Sequence, residues 1–255
     1  MSDATPATEA LLDVQQLSKR FGGVVASAGI DLRVHDGEVH ALIGPNGAGK
    51  TTLVAQLAGQ LRPDRGRIVF AGRDITHLSP HERARRGLAR SFQITRLFRS
   101  FDVRENVVLA VQAAARHGAP AAAGAAAGRE AETLRVDEVL AEIGLAEKAH
   151  AAIDALSHGE QRALEVGLAV ASRPRLVMLD EPMAGMGHDE SKRMEALIRR
   201  LRVRTTVLLI EHDVDAVFRL ADRVSVLVSG QVIASGAPEA VRRDAGVIDA
   251  YLGEE

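Results

Sequence analysis

Nine consecutive residues, Gly44, Pro45, Asn46, Gly47, Ala48, Gly49, Lys50, Thr51 and Thr52, could hold a triphosphate. They fit the spacing G-x-x-x-x-G-K-[ST], with Gly44, Gly49, Lys50 and Thr51 on the fixed positions. Glycines let the backbone turn tightly, so that successive N–H groups surround phosphate oxygens. A helix opening after the loop adds unpaired N–H groups and a dipole that favours negative charge. Lys50 brings a compact charge to the β- and γ-phosphates, and Thr51 offers a hydroxyl to Mg²⁺. The context such a loop needs is present. Glu38 to Ile43 reads as a strand before it, and Thr51 to Gly59 as a helix after it.

A second segment carries acids. Leu176 to Leu179 is a buried apolar strand that ends in Asp180 and Glu181. In a parallel sheet, ligands sit beyond the carboxyl ends of the strands. With a phosphate loop upstream, Asp180 is expected to hold Mg²⁺ and Glu181 to polarise an attacking water. Without that loop, the pair would read equally well as a solvated strand cap. A third segment, Leu156 to Arg162, opens a helix. Ser157 is a good N-cap and Glu160 lies three residues on, as in a capping box. The cap accounts for these residues without a ligand, yet the same hydroxyl and free N–H groups suit a γ-phosphate.

The elements that must position these groups follow from patterning. Leu11 to Leu17, Ile30 to Val34 and Arg67 to Phe70 are short strands close together, which predicts an antiparallel layer beside the nucleotide core. Helices are expected over Pro80 to Gly87, Val103 to about Ala115, and Arg129 to Ile143, the last on the spacing of Leu134, Val139, Leu140 and Ile143. Gly118 to Gly128 is Ala/Gly-rich, a loop or weak helix. Apolar runs then return at Leu176 to Leu179, Thr206 to Ile210 and Val224 to Val228, separated by long helical patterns. That alternation predicts a mostly parallel sheet covered on both faces. The fold class is therefore α/β, with an antiparallel β subdomain and an inserted helical subdomain.

Composition narrows the class. A net charge of −2 gives no global basic field for nucleic acid, and the absence of cysteine excludes a disulfide framework and thiolate metal sites. No apolar run approaches the ~20 residues of a membrane span. Residues 1–10 are expected to be a mobile tail, and no signal peptide is visible, so a cytoplasmic protein is expected. Seven arginines, Arg83, Arg85, Arg86, Arg90, Arg96, Arg99 and Arg104, form a basic stretch. Interspersed acids and a lack of stacking aromatics favour a solvated face near a membrane partner over a nucleic-acid site.

The order of phosphate loop, Gln93, Leu-Ser-x-Gly, Asp-Glu and His212 resembles the ATP-binding cassette (ABC) ATPases, over essentially residues 11–255. The resemblance implies a P-loop NTPase core, read as one domain over 11–255 with a helical subdomain at about 94–160. It implies that Phe21 stacks on adenine and that Gln93 reaches Mg²⁺ and the lytic water. His212 would contact the γ-phosphate and orient Glu181. Ser157, His158, Gly159 and Glu160 would close over the ATP of a second ATPase chain, so that two chains sandwich two nucleotides. Two departures from the family pattern stand out. His158 and Glu160 replace residues of the commoner Leu-Ser-Gly-Gly-Gln, and Gly187 replaces an aspartate used for crosstalk.

Arg90 to Phe98, Val103 to Val107 and the ending from Ile233 to Glu254 resemble the branch that serves branched-chain amino acid importers. Urea, short-chain amide and aromatic-acid importers, and the ATPase of lipopolysaccharide export, are similar. The resemblance implies ATP and Mg²⁺ as cofactors and two membrane permease subunits as partners. It further implies an extracytoplasmic binding protein acting indirectly and a place on the inner face of the membrane. A soluble cassette ATPase acting on nucleic acid or ribosomes is the reading from another class. Such proteins usually carry two cassettes or long coiled-coil insertions, and this chain has neither.

Overall fold

Alternating and continuous apolar runs produce different sheets here, as their burial requires. The computed structural model describes residues 10–91, 97–118 and 125–252. These divide into two units, Met1–Pro80 with His212–Glu255, and His81–Glu211.

The first unit opens with β1 (Ala10–Phe21), β2 (Val24–His35), β3 (Val39–Ile43), α1 (Lys50–Leu57), β4 (Arg65–Phe70) and β5 (Arg73–Asp74). The second follows with α2 (Pro80–Arg85), β6 (Leu88–Arg90), α3 (Val103–Gly118), α4 (Ala125–Glu142), α5 (His158–Val170), β7 (Leu176–Asp180), α6 (His188–Leu201) and β8 (Thr206–Ile210). The chain then returns to the first unit with α7 (Val214–Leu220), β9 (Arg223–Val228), β10 (Gln231–Gly236), α8 (Pro238–Val241) and α9 (Ala245–Leu252).

In the first unit, β2, β1, β4 and β5 form the expected antiparallel layer in that order, with Leu12 opposite Val34 on one side and Phe70 on the other. Beside it, β3 pairs in parallel with β9, and β10 adds an antiparallel edge. All five residues of β3 are buried, as expected of a strand covered on both faces. Ala41 and Ile43 of β3 pack in one apolar cluster with Val217 of α7, Val224 and Val226 of β9, Val241 and Val247. That cluster anchors the strand from which the phosphate loop leaves.

In the second unit, β6, β7 and β8 are parallel, with Arg90 opposite Met178 and Asp180 opposite Ile210. Every residue of β7 and β8 is buried. Each such Leu, Val or Met contributes about 1.5–3 kcal/mol, so this strand pair is a stiff base for the acids at its end. The helix read from Arg129 starts earlier, at Ala125, and its buried stripe is Val136, Val139, Leu140 and Ile143. Leu134, used in the sequence pattern, is 59% exposed. Positions i, i+3, i+4 and i+7 counted from Val136 share one face, and Leu134 lies about 200° away from Val136 on a 100°-per-residue helix. Gly167 of α5 makes the close approach to α4 possible, because a Cβ there would lie 2.9 Å from the Ile143 side chain. The Arg135 guanidinium, on α4, donates to the carbonyls of Val170 and Ala171 and so caps the far end of α5. No helix among the described residues is long and apolar enough to cross a membrane.

Candidate functional site

The phosphate loop occupies residues 44–49, between buried β3 and α1. Two of its glycines are required by close backbone approach. A Cβ on Gly44 would lie 2.0 Å from the carbonyl oxygen of Leu227, and one on Gly49 would lie 2.4 Å from that of Ala26. Gly49 also holds φ 105°, a region disfavoured for residues with a side chain. As the N-cap of α1 it has no side chain to offer the first-turn N–H groups, which suits them to an anion. The loop is tied down at Ala48, whose carbonyl accepts the Gly230 N–H at 2.8 Å. Lys50 is buried, and its ammonium donates to the carbonyls of Gly44 and Pro45, the latter at 2.9 Å. The ammonium is thereby folded back over the loop where a phosphate would lie. Thr51 is exposed and Thr52 half-buried on the first turn.

Phe21 ends β1 with 51% of its surface exposed, and Lys19 Nζ stands 5.7 Å from its ring centroid. An aromatic face this open, next to a cation, can take a flat heteroaromatic ring. His212 is exposed just after β8. The helix cap at this point is Asp213, whose Oδ1 accepts the Ala216 N–H at 3.0 Å.

In the second unit, Asp180 is buried at the end of β7 and meets Arg90 on the neighbouring strand, Nη2 to Oδ2 at 2.7 Å. Its amide is held by Ser91 Oγ at 3.3 Å. Glu181 adopts φ 49°, a left-handed conformation uncommon for a residue with a side chain, and its N–H donates to the Ile210 carbonyl at 2.9 Å. Such strain persists only where the surroundings over-determine it, and it clusters at functional sites. One such constraint is Glu211, which is buried and accepts the Met183 N–H through Oε1 at 2.9 Å. Gln93 and Arg96 lie outside the described residues.

Ser157 caps α5 with a complete capping box. Its Oγ accepts the Glu160 N–H at 3.3 Å, and the Glu160 carboxylate accepts the Ser157 N–H at 3.0 Å. Lys148 Nζ approaches the other Glu160 oxygen at 2.6 Å. Burial works against ionisation of Glu160, but Lys148 and the Ser157 N–H outweigh it and leave its carboxyl below the usual range. His158 Nε2 lies 3.3 Å from the Ala184 carbonyl, so His158 bridges to the segment after Glu181. The Ser157 hydroxyl and the Gly159 N–H both point to one oxygen of Glu190, at 2.9 and 3.1 Å.

Sequence reasoning missed Arg90 and Glu190, which touch the expected site residues Asp180, Ser157 and Gly159, and Glu211, which holds the Met183 N–H two residues after Glu181. The basic stretch is not the single solvated face expected. Arg83 is buried and Arg90 neutralises Asp180, while Arg99 and Arg104 pair with Asp154 and Asp137. Charge counting along a sequence does not register partners that lie far off in the chain. The oxygens of Thr51 and Asp180 are hard donors suited to Mg²⁺. Among the described residues no three His, Cys, Asp or Glu side chains gather as a cage.

The ABC transporter family pattern matches residues 28–184, and the pattern described as branched-chain amino acid ATP-binding cassette transporter matches residues 231–255. The chain belongs to the ABC transporter family, within which it is a nucleotide-binding ATPase. BraF of Pseudomonas aeruginosa, a high-affinity branched-chain amino acid transport ATP-binding protein, is 40% identical over 253 residues, covering 96% of this chain and 98% of its own. LivG of Salmonella typhimurium, described in the same words, is 39% identical over 97% of this chain and 99% of its own. Among solved structures, the ADP conformation of MJ1267, an ATP-binding cassette of an ABC transporter, superposes with a TM-score of 0.82 at 28% identity, covering 97% of this chain and all of that one.

Proposed function

We propose that this chain hydrolyses Mg²⁺·ATP to energise uptake of branched-chain amino acids through membrane permease subunits. The observation that carries the substrate class is the match of residues 231–255 to the branched-chain amino acid cassette pattern, together with near-full-length identity to BraF.

In this reading residues 11–255 work as one cassette. Phe21 stacks on the adenine. The loop amides of Gly44, Pro45, Asn46, Gly47, Ala48 and Gly49, with Lys50, Thr51 and Thr52, bind the phosphates. Thr51, Gln93 and Asp180 would hold Mg²⁺, which would supply positive charge against the phosphates during transfer. Glu181 takes a proton from water as the water oxygen attacks the γ-phosphorus and the bond to the ADP oxygen breaks. His212 and Gln93 orient that water. Ser157, His158, Gly159 and Glu160 contact the ATP of a second ATPase chain, the same or a paralogue. ATP thereby closes the pair, and closure moves the permease through the helical subdomain at about 94–160. Phe98, Phe101 and Leu109, exposed apolar residues in that subdomain, offer the permease a surface. The chain then works on the cytoplasmic face of the membrane, held there by its permease partners.

The test is ATP turnover and solute uptake by the chain with its partners. Glu181→Gln should bind ATP, hydrolyse it at least about 100-fold more slowly, and abolish uptake of labelled leucine. Undiminished turnover would remove Glu181 from its role. Normal leucine uptake in cells that lack the chain would overturn the substrate class.

A further inference from the structure

The start of α5 already holds an anion, supplied by the chain itself. One carboxylate oxygen of Glu190 accepts both the Ser157 hydroxyl proton, at 2.9 Å, and the Gly159 N–H, at 3.1 Å. The fit is close enough that a Cβ on Gly159 would lie 2.9 Å from the Glu190 carboxyl carbon. Glu190 stands on the first turn of α6, whose N-cap is Gly187. The Gly159 and Ser157 donors lower its pKa first and most, the Gly187 N–H adds to this, and nearby His158 contributes charge, so the group is a carboxylate at neutral pH. The contact is open to solvent. A cavity of about 360 Å³ adjoins it, lined by Ser157, Gly159, Glu160, Glu190 and Arg193 among others.

Each of the two donors carries one proton. A phosphate oxygen would therefore compete with Glu190 for both protons, and a carboxylate left in place would also repel the phosphate. We propose that Glu190 regulates the nucleotide cycle by competing for these donors. Its carboxylate occupies Ser157 Oγ–H and Gly159 N–H, the groups assigned to a γ-phosphate, and it must leave them when a second chain presents ATP. This rests on the reading of Ser157 and Gly159 as phosphate ligands across the ATPase pair. The contact also gives a role to the segment where glycine replaces the usual aspartate. Here the start of α6 is tied to the start of α5 by Glu190, through donors that ATP will claim.

The experiment uses the full chain carrying Glu181→Gln, alone and with the ATPase subunit that co-purifies with it. Mg²⁺·ATP is titrated and association followed by sedimentation velocity. Adding Glu190→Ala should lower the ATP concentration for half-maximal association about five-fold, the worth of one displaced pair of exposed hydrogen bonds. Glu190→Gln, which keeps a weaker acceptor, should fall between. Without nucleotide, the Gly159 amide of the Glu190→Ala chain should exchange faster with D₂O. A carboxylate that merely held the fold would give the opposite result, an unchanged or higher ATP requirement, and that result overturns the proposal. Ser157→Ala in the same background separates the two failures. If it weakens association while Glu190→Ala does not improve it, only the role of Glu190 fails. If Ser157→Ala leaves association unchanged, or ATP drives none, the reading of the Ser157–Gly159 site fails and the proposal falls with it.

Discussion

Replacing Arg90 with methionine isolates a buried ion pair of the second unit. The side chains of Arg90 and Asp180 are 12% and 3% exposed, and Nη2 lies 2.7 Å from Oδ2. At an effective dielectric constant near 20, two unit charges at that separation attract by about 6 kcal/mol. Desolvating both groups takes back much of this, so the intact pair adds little net stability. Removing only the guanidinium is different. It leaves a buried carboxylate without its partner, which costs about 3–5 kcal/mol, a large part of the 5–15 kcal/mol that holds a typical domain. The chain has no tryptophan and one tyrosine, so far-UV circular dichroism in urea is the suitable readout. With a denaturant slope of about 2 kcal/mol per molar, the midpoint should fall by roughly 1.5–2.5 M. The reasoning makes a second demand. Arg90→Met with Asp180→Leu should be more stable than Arg90→Met alone, because the stranded charge is gone. An Arg90→Met chain within about 1 kcal/mol of the parent, or a double variant less stable than the single one, refutes the account.

Three further outcomes can be checked. Gly49→Ala should lower ATP affinity at least about ten-fold in a calorimetric titration, since a positive φ alone costs of order 1–3 kcal/mol and the new Cβ meets the Ala26 carbonyl at 2.4 Å. Glu211→Ala strands the buried Met183 N–H, a loss of about 1–3 kcal/mol; it should reduce kcat more than ATP binding, and Glu211→Gln, which keeps an acceptor, should restore much of the rate. Asp74 is held down to about 2, from an ordinary 3.8, first by the Thr76 hydroxyl, then by the Thr76 N–H, with Arg67 adding to both. A depressed carboxyl stabilises the fold above its unfolded pKa and loses that contribution as pH falls through the folded one. The difference in Tm between the parent and Asp74→Asn should therefore level off above about pH 5 and shrink progressively as pH falls towards 2; a difference that does not shrink between pH 5 and pH 2 refutes the assignment.

The parts of this protein written into the sequence are local ones. Gly44 to Thr52 carries its chemistry in its spacing, because one strand, one loop and one helix start suffice to build it. The all-buried strands β7 and β8 were legible as apolar runs, β3 as the strand that the phosphate loop requires before it, and the capping box at Ser157 as residues three apart. Other features were read wrongly or not at all. Leu134 satisfied a helical count yet points away, because a period fixes a face only once the packing partner is known, and Val136 holds the inward place. The edge strands β6 and β10 went unread, being three residues long in one case and alternately exposed in the other.

The tertiary structure alone decided how the expected site residues are held. Arg90 and Asp180 are 90 positions apart, Ser157 and Glu190 are 33, and Met183 and Glu211 are 28. Sequence periodicity reaches a turn or two of helix or a hairpin, and contacts at such separations follow from strand order and helix packing instead. The sequence by itself thus determined that this chain handles a nucleotide, and it singled out the loop proposed to hold the phosphates. Only the folded chain revealed that the acid expected to meet the metal ion is already paired with a buried arginine. Only the fold, too, revealed that the serine and glycine expected to meet a phosphate are held by a carboxylate of their own chain.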